Sequence, residues 1–308
     1  MNSPGSTRDG PDMKPLKLAV ASGKGGTGKT LVATNLAVAV SRLNKTVVLV
    51  DCDVEAPNDH LFFDFDANTE VVEVPIPEGP TGECPRGCTL CRDACRFGAI
   101  RILNGKPVVF PDLCHNCGAC VQACSPGLLL EVPIRVGETR SGSTNAGFEL
   151  VMGELDVGKM KAPTVIDATR NRAGLEQAEV MILDAPPGAA CSAVATLHGV
   201  DFLLLVTEST VFGLHDLELM VELGRGLGLP MGVIVNRDGS GSVDIAAYCY
   251  REGIPIVGRL PFDRRIAALY AKGELIVNSH PEGGEWFSEL WNSLESRIRD
   301  AMPRRSAV

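Results

Sequence analysis

The chain has 308 residues, 45% of them hydrophobic, and a formal net charge of −9. This length and composition can support one large α/β domain or two smaller ones around a substantial core. The acidic balance argues against a nucleic-acid partner. No apolar run approaches the length of a membrane span.

Cysteine content and the N-terminal segment bear on the compartment. Residues 1–15 are rich in Ser, Gly, Pro and Asp without an apolar stretch, which predicts a disordered tail rather than a signal peptide. We therefore expect a cytoplasmic protein. Eight of the eleven cysteines lie between Cys84 and Cys124, and in a reducing compartment such crowding indicates a metal centre rather than disulfides.

The first motif is a glycine-rich loop between a predicted strand, 16–21, and a predicted helix, 31–43. The pattern G-x-x-x-x-G-K-[ST] is matched by Gly23, Lys24, Gly25, Gly26, Thr27, Gly28, Lys29 and Thr30. Glycines let backbone N–H groups surround a phosphate, and the helix start adds its positive dipole end. We therefore predict a nucleotide site in which Lys29 reaches the terminal phosphates and Thr30 ligates Mg²⁺.

The second lysine of this loop, Lys24, gives it the form K-G-G-x-G-K-T, which resembles the deviant Walker A motif of the MinD/ParA/Mrp ATPases. Members of that family form nucleotide-sandwich dimers. The resemblance implies that Lys24 acts on the phosphates bound by a second subunit, in a homodimer or a heterodimer with a paralogous ATPase. A solvated loop lysine is the alternative reading. The resemblance also implies Mg²⁺-dependent hydrolysis of ATP to ADP.

Carboxylates at two predicted strand ends fit the same resemblance. Asp51 and Asp53 follow the apolar run 46–50, and Asp184 follows 179–183. The carboxyl ends of parallel strands face the ligand crevice. The resemblance implies that Asp51 lies in the water shell of Mg²⁺, that Asp53 positions and activates the attacking water, and that Asp184 is the Walker B carboxylate. Each could instead cap an ordinary turn.

Further family segments follow along the chain. Asp184-Ala185-Pro186-Pro187-Gly188 resembles switch II, in which Asp184, Pro187 and Gly188 would respond to the γ-phosphate. On the base side, the resemblance implies contacts to adenine from Asn236, Arg237 and Pro261. The stretch from Glu208 to Leu214 resembles a loop of ferredoxin-bearing relatives, but no role follows from its residues.

Residues 79–135 differ in texture from the rest, with clustered Cys, Pro and Gly, and the apolar rhythm resumes after them. This pattern predicts an inserted domain that divides the ATPase domain into 16–78 and 136–308. Two cysteine runs lie in the insert, namely Cys84-x3-Cys88-x2-Cys91-x3-Cys95 and Cys114-x2-Cys117-x2-Cys120-x3-Cys124. The second follows the bacterial ferredoxin spacing closely, and the first has one extra residue in its first gap. Asn104-Gly105, flanked by apolar pairs, predicts a β-hairpin between them.

Two cysteine runs bridged by a hairpin resemble the two-[4Fe–4S] ferredoxin module, in which the fourth cysteine of each run ligates the other run's cluster. The resemblance groups Cys84, Cys88, Cys91 and Cys124 on one cluster. It groups Cys95, Cys114, Cys117 and Cys120 on the other. Two structural zinc sites are the competing interpretation, because zinc also accepts four thiolates.

The remaining cysteines and the last helix have less specific patterns. We expect Cys52, Cys191 and Cys249 to be small buried hydrophobic residues, with a metal or transfer role as the alternative for Cys191. The helix predicted from Glu285 to Met302 places an apolar stripe on one side, made of Trp286, Phe287, Leu290, Trp291, Leu294 and Ile298. With few basic residues before Arg297, this stripe favours a core-facing helix over a membrane-binding one.

The alternation of apolar strands and helices predicts a mostly parallel sheet with helices on both faces, carrying a small ferredoxin-like α+β insert. By resemblance, the chain is an ATPase switch with two [4Fe–4S] clusters. Its role is interpreted first as assembly or delivery of metalloclusters, with a metallocluster-carrier or redox protein as partner. An ATP-gated electron carrier and a MinD-like spatial regulator with redox-sensing clusters remain alternatives.

Overall fold

The structure is a computed structural model that describes residues 14–173 and 178–301. Of the predicted disordered tail, 1–15, residues 1–13 lie outside the described part of the chain. The described strands are β1 (Leu16–Ala21), β2 (Val47–Asp51), β3 (Asn68–Glu78), β4 (Ile100–Leu103), β5 (Lys106–Val109), β6 (Leu130–Ser143), β7 (Glu149–Leu155), β8 (Val180–Asp184), β9 (Phe202–Glu208), β10 (Met231–Asp238) and β11 (Ile256–Pro261).

The described helices are α1 (Lys29–Ser41), α2 (Leu90–Ala94), α3 (Ala119–Ala123), α4 (Ala162–Arg172), α5 (Cys191–Leu197), α6 (Val211–Gly226), α7 (Ile245–Glu252), α8 (Arg264–Tyr270), α9 (Ile276–Ser279) and α10 (Gly283–Ala301). Two short 3-10 turns cover Asp59–Phe62 and Pro111–Leu113. None of the described helices combines the length and the apolar character needed to cross a bilayer.

Nine strands form one sheet in the order β11-β10-β9-β1-β8-β2-β7-β6-β3. The pairs from β11 to β7 are parallel. The last two pairs, β7 with β6 and β6 with β3, are antiparallel. The predicted mostly parallel sheet is therefore confirmed, and the carboxyl ends of β1, β2 and β8 lie side by side, where α/β sheets bind ligands.

Helices cover both faces of the sheet, as expected for nearly continuous apolar strands. On one face, Leu36 of α1 and Phe287 and Trp291 of α10 are buried in one core cluster. On the other, Val165 of α4 and Leu217 of α6 are buried in a second. The predicted apolar stripe of the last helix faces the first of these clusters, in which Leu290, Leu294 and Ile298 are also buried.

The antiparallel ribbon of β3 and β6 was not predicted. Both strands contain proline, and Pro75 pairs with Pro133 in the register of the ribbon. Proline removes a ladder hydrogen bond and is confined to edges and irregular positions of sheets, which hides such strands in the sequence. β6 also runs without interruption across the boundary expected at residue 135, so this ribbon joins the segment between β3 and β6 to the main sheet.

The segment between β3 and β6 carries two cysteine loops, two short helices and a hairpin. β4 and β5 pair as a separate two-stranded sheet, and Asn104 and Gly105 have φ of 50° and 77°. Positive φ at both central residues is the type I′ geometry that Asn-Gly favours, so the predicted hairpin is confirmed. The two cysteine runs share a feature after their last cysteine, because Gly98 and Gly127 both have φ of 67°.

Candidate functional site

A cavity of about 500 Å³ lies at the carboxyl edge of the sheet, beside the glycine-rich loop. This volume is in the range of small-molecule sites. Residues from the two ends of the chain line it, including Gly25, Gly26, Gly28, Lys29, Thr30, Asp53, Pro187, Asn236, Arg237 and Pro261. The structure therefore brings most of the residues singled out in the sequence around one cavity.

The geometry of the glycine-rich loop requires glycine at position 28. Gly28 has φ of 100° and precedes the first residue of α1. A Cβ there would lie 2.4 Å from Asn236 Nδ2, which donates to the Thr27 carbonyl at 2.7 Å. Asn236 Oδ1 in turn accepts the Arg237 N–H at 2.9 Å. Asn236 thus joins the end of β10 to the loop and keeps one amide N–H for a ligand.

The two lysines of the loop lie in different surroundings. Lys29 is 6% exposed and lines the cavity. Lys24 is partly exposed and is not among the lining residues; its carbonyl accepts the Ser22 hydroxyl at 2.6 Å.

Three buried carboxylates converge behind the cavity, and one of them was missed in the sequence. Asp51, Asp59 and Asp184 each have a carboxylate oxygen within 4.8 Å of the others. The Thr30 hydroxyl donates to Asp184 Oδ2 at 2.6 Å. Asp59 follows no predicted strand and matches no motif, so only the fold reveals its place.

Burial and the neighbouring charges shift the pKa values of these carboxyl groups upward. Burial, and next the charge of Asp184, raise the pKa of Asp51. Burial, and next the charge of Asp51, raise the pKa of Asp59. For Asp184 burial raises the pKa, while the hydrogen bond from Thr30 and the charge of Lys29 oppose the shift. Burial also raises the pKa of Asp53, which lines the cavity, against the opposing charge of Lys29. Buried oxygen ligands of this kind suit Mg²⁺.

The segment after β8 contacts the glycine-rich loop. Gly188, with φ of 86°, donates its N–H to the Ser22 carbonyl at 3.0 Å. Pro187 lines the cavity. The Gly188 N–H is therefore already engaged in this structure, and the expected contact with a γ-phosphate requires that hydrogen bond to open.

The side of the cavity at the end of β11 is lined by Pro261, Phe262 and Asp263, a stretch that resembles the second base-side loop of the family. Arg264 and Tyr270, which the sequence did not single out, line it with them. Asp263 caps α8 by accepting the Arg265 N–H at 2.8 Å. The stretch that begins at Glu208 also gains a contact, because Glu208 pairs with Arg237 at 2.8 Å. Glu208 thus helps to hold Arg237 at the cavity.

Two smaller cavities lie at the cysteine loops between β3 and β6, and each is lined by four cysteines. One is lined by Cys84, Cys88, Cys91 and Cys124. The other is lined by Cys95, Cys114, Cys117 and Cys120. In each cavity the fourth cysteine comes from the other run, which is the crossed grouping expected from the resemblance. The extra residue in the first run falls in a turn at Gly87, which has φ of 77°.

The cysteine thiols that line these two cavities are soft ligands for metals. All eleven cysteines, which lie among the described residues, are free thiols. Asn116 donates its N–H to Cys114 Sγ at 3.4 Å, and hydrogen bonds to sulfur are one way in which proteins tune clusters. Four thiols per cavity fit either a [4Fe–4S] cluster or zinc.

The expectation for Cys191 is wrong, whereas those for Cys52 and Cys249 are confirmed. Cys52 and Cys249 are buried. Cys191 is exposed, because it is the first residue of α5 and lies off the buried face of that helix, which is formed by Ala193, Thr196 and Leu197.

The fold and the cavity define a nucleotide-binding P-loop protein of the α/β class. Residues 18–276 match a family model described as "CobQ/CobB/MinD/ParA nucleotide binding domain". The chain therefore belongs to the CobQ/CobB/MinD/ParA family of nucleotide-binding proteins.

Similar proteins include both uncharacterised and named ones. An uncharacterised protein of Methanocaldococcus jannaschii is 32% identical over 285 aligned residues. The alignment covers 92% of this chain and 98% of that protein. An iron-sulfur cluster carrier protein of Aquifex aeolicus is 28% identical over 287 aligned residues. The alignment covers 86% of this chain and 62% of that protein. The structure of the cell division ATPase MinD of Pyrococcus furiosus has a similar fold, with a TM-score of 0.53 and 21% sequence identity. The superposition covers 92% of this chain and 99% of the MinD chain.

Proposed function

We propose that the protein is a Mg²⁺-dependent, dimeric ATPase switch that carries two [4Fe–4S] clusters, and that its nucleotide state controls the assembly or delivery of iron–sulfur clusters. The observation that carries the proposal is the presence in one chain of a P-loop cavity and two cavities of four cysteines each. The name of the Aquifex relative, an iron-sulfur cluster carrier, supports the same direction.

The nucleotide half of the proposal assigns roles to residues around the large cavity. The backbone from Gly23 to Gly28 would bind phosphate oxygens, and Lys29 would neutralise the charge on the terminal phosphates. Thr30 and the buried carboxylates would hold Mg²⁺, which, when bound, stabilises charge on the phosphates during transfer. Asp53 lines the cavity beside Lys29, where it would orient the attacking water.

The remaining roles concern closure and the base. Asn236, Arg237 and Pro261 would surround the adenine, with the Asn236 amide providing a hydrogen bond. Lys24, which lies outside the cavity lining of its own chain, would reach the phosphates of a second subunit. Loss of the γ-phosphate would let Gly188 return to the Ser22 carbonyl and so reopen the dimer.

The insert half of the proposal rests on the thiols. Cys84, Cys88, Cys91 and Cys124 would hold one cluster, and Cys95, Cys114, Cys117 and Cys120 the other. Closely spaced thiolates favour iron–sulfur clusters, which in turn would tie the two loops together around a small core that includes Ile100 and Leu129.

The nucleotide half is tested with Lys29→Ala, using protein purified without oxygen. We expect the variant to lose ATP affinity by roughly 100-fold, because a charge-assisted contact contributes about 1.5–3 kcal/mol and each 1.4 kcal/mol is tenfold. Titration calorimetry with ATP and Mg²⁺ gives the affinity. Lys272→Ala, an exposed lysine, is the matched control and should bind as the wild type does. Unchanged binding by Lys29→Ala would refute the assigned site.

Delivery is distinguished from electron carriage by the fate of the iron. Delivery predicts that iron and sulfide move to a cluster-free acceptor protein when ATP is added. Electron carriage predicts instead that clusters stay on the chain and undergo reversible low-potential reduction, with oxidation by a partner only when ATP is present.

A further inference from the structure

Asp51, the carboxylate expected near Mg²⁺, is already engaged by the backbone that follows it. Its Oδ1 accepts the Asp53 N–H at 3.0 Å. Its Oδ2 accepts the N–H groups of Asn58 and Asp59 at 2.8 Å and 3.1 Å. Asp51 therefore folds the loop between β2 and the 3-10 turn around its own side chain, and this directs Asp59 inward.

Asp59 has the opposite character. It is fully buried, and among the described residues no N–H or hydroxyl group donates a hydrogen bond to either of its carboxylate oxygens. The same holds for Oδ1 of Asp184, whose Oδ2 accepts the hydroxyl of Thr30. The polar side chain that Asp59 meets is the carboxyl of Asp184. Burying a carboxylate without a donor or a counter-charge is costly. Asp51, Asp59 and Asp184 each have a carboxylate oxygen within 4.8 Å of the others, and Asp184 connects this group to Thr30.

We propose that Asp59 is a direct ligand of the divalent cation at the P-loop, and that the three carboxylates let the protein bind this cation before nucleotide arrives. Proteins usually bind Mg²⁺ with one or two carboxylates and leave other positions to substrate phosphates and water. A third carboxylate, to which no N–H or hydroxyl group of the described residues donates, supplies the charge that phosphates provide elsewhere. This inference deepens the proposed nucleotide site, and its test contains no nucleotide.

The experiment measures Mn²⁺ binding to the full chain, purified without oxygen and freed of nucleotide. Mn²⁺ is the probe because it accepts the same oxygen ligands and its unbound fraction is visible by EPR. Wild type, Asp59→Asn, Asp59→Glu and Asp66→Asn are compared. Asp66 is an exposed carboxylate of the same connection, so its variant matches the change in charge without touching the buried cluster.

We expect one Mn²⁺ per chain in the wild type and in Asp66→Asn, and binding at least about tenfold weaker in Asp59→Asn, in line with the loss of a metal-site group. Asp59→Glu keeps a carboxylate and should retain part of the affinity, which separates loss of the ligand from a disturbed loop. Asp59→Asn should unfold in EDTA at a temperature no lower than the wild type, because it removes a buried uncompensated charge.

The proposal is overturned if wild-type protein binds no Mn²⁺ in the absence of nucleotide, since Asp59 would then share a proton with Asp184 instead. It is equally overturned if Asp59→Asn binds Mn²⁺ with wild-type affinity. ATP hydrolysis measured on the same samples tells the two proposals apart, because a wild type that hydrolyses ATP but binds no Mn²⁺ alone refutes only the role of Asp59.

Discussion

At the phosphate loop, Lys24 and Lys29 differ in exposure and in what they face. Lys29 is almost fully buried and lines the large cavity, so its charge acts within its own chain. Lys24 is partly exposed and lies outside that lining, as the proposed action on a second subunit requires. This difference separates the expected effects of removing the two charges.

Lys24→Ala should keep ATP affinity within about threefold of wild type but lower turnover and dimerisation. The reason is that the side chain would neutralise phosphate charge only across the dimer. Hydrolysis rates measured against protein concentration, together with light scattering in ATP, check this expectation. Lys272→Ala serves as control, and wild-type turnover in Lys24→Ala would remove the idea of a clamp in trans.

Single residues also mark the limit of sequence reasoning at this site. Lys29, Thr30 and Asp184 were found because their motifs join a strand end to a loop of fixed spacing. Asp59 was missed because it lies eight positions beyond Asp51 and only the loop around Asp51 turns it inward. Tyr270 was missed because it lines the cavity from a part of the chain that is far in sequence from the glycine-rich loop.

Among the elements, the parallel strands were predictable and the antiparallel ribbon was not. β1, β2, β8 and β9 are apolar runs whose burial is nearly complete, and such runs have few other places in a folded chain. β3 and β6 carry prolines and exposed polar residues at the sheet edge. β3 pairs with β6, and β6 pairs in turn with β7. No local pattern in the sequence indicates these pairings.

The two cysteine loops lead to a prediction about Cys124. Because it lines the cavity of Cys84, Cys88 and Cys91, Cys124→Ser should lose the same cluster as Cys88→Ser. Iron should fall from about eight to about four per chain, and the EPR spectra of the two reduced variants should match. Iron analysis and EPR of protein purified without oxygen provide the measurement.

Cys191→Ser is the control for that experiment, because Cys191 is exposed and lies outside both cavities. Its iron content should equal that of the wild type. A Cys124→Ser spectrum that matches Cys120→Ser rather than Cys88→Ser would show that the runs do not exchange their fourth cysteine.

For the whole molecule, the chain itself connects the two kinds of site. From the carboxylates at Asp51 and Asp59 it passes along β3 directly to the first cysteine loop, and it returns along β6 to the main sheet. A second contact joins the cysteine loops to the main sheet and its helices, because the Lys161 ammonium, just before α4, donates to the Cys114 carbonyl. The ribbon and this contact are thus two structural connections between the nucleotide cavity and the cysteine loops.

The measurement that tests the central claim most directly is the iron and sulfide content of oxygen-free protein and the rate at which a chelator removes that iron, with and without ATP. The account predicts about eight iron and eight sulfide per chain, and an ATP-dependent rate in the wild type that Lys29→Ala lacks. Zinc or no metal in the thiol cavities, or a rate indifferent to ATP, would contradict it.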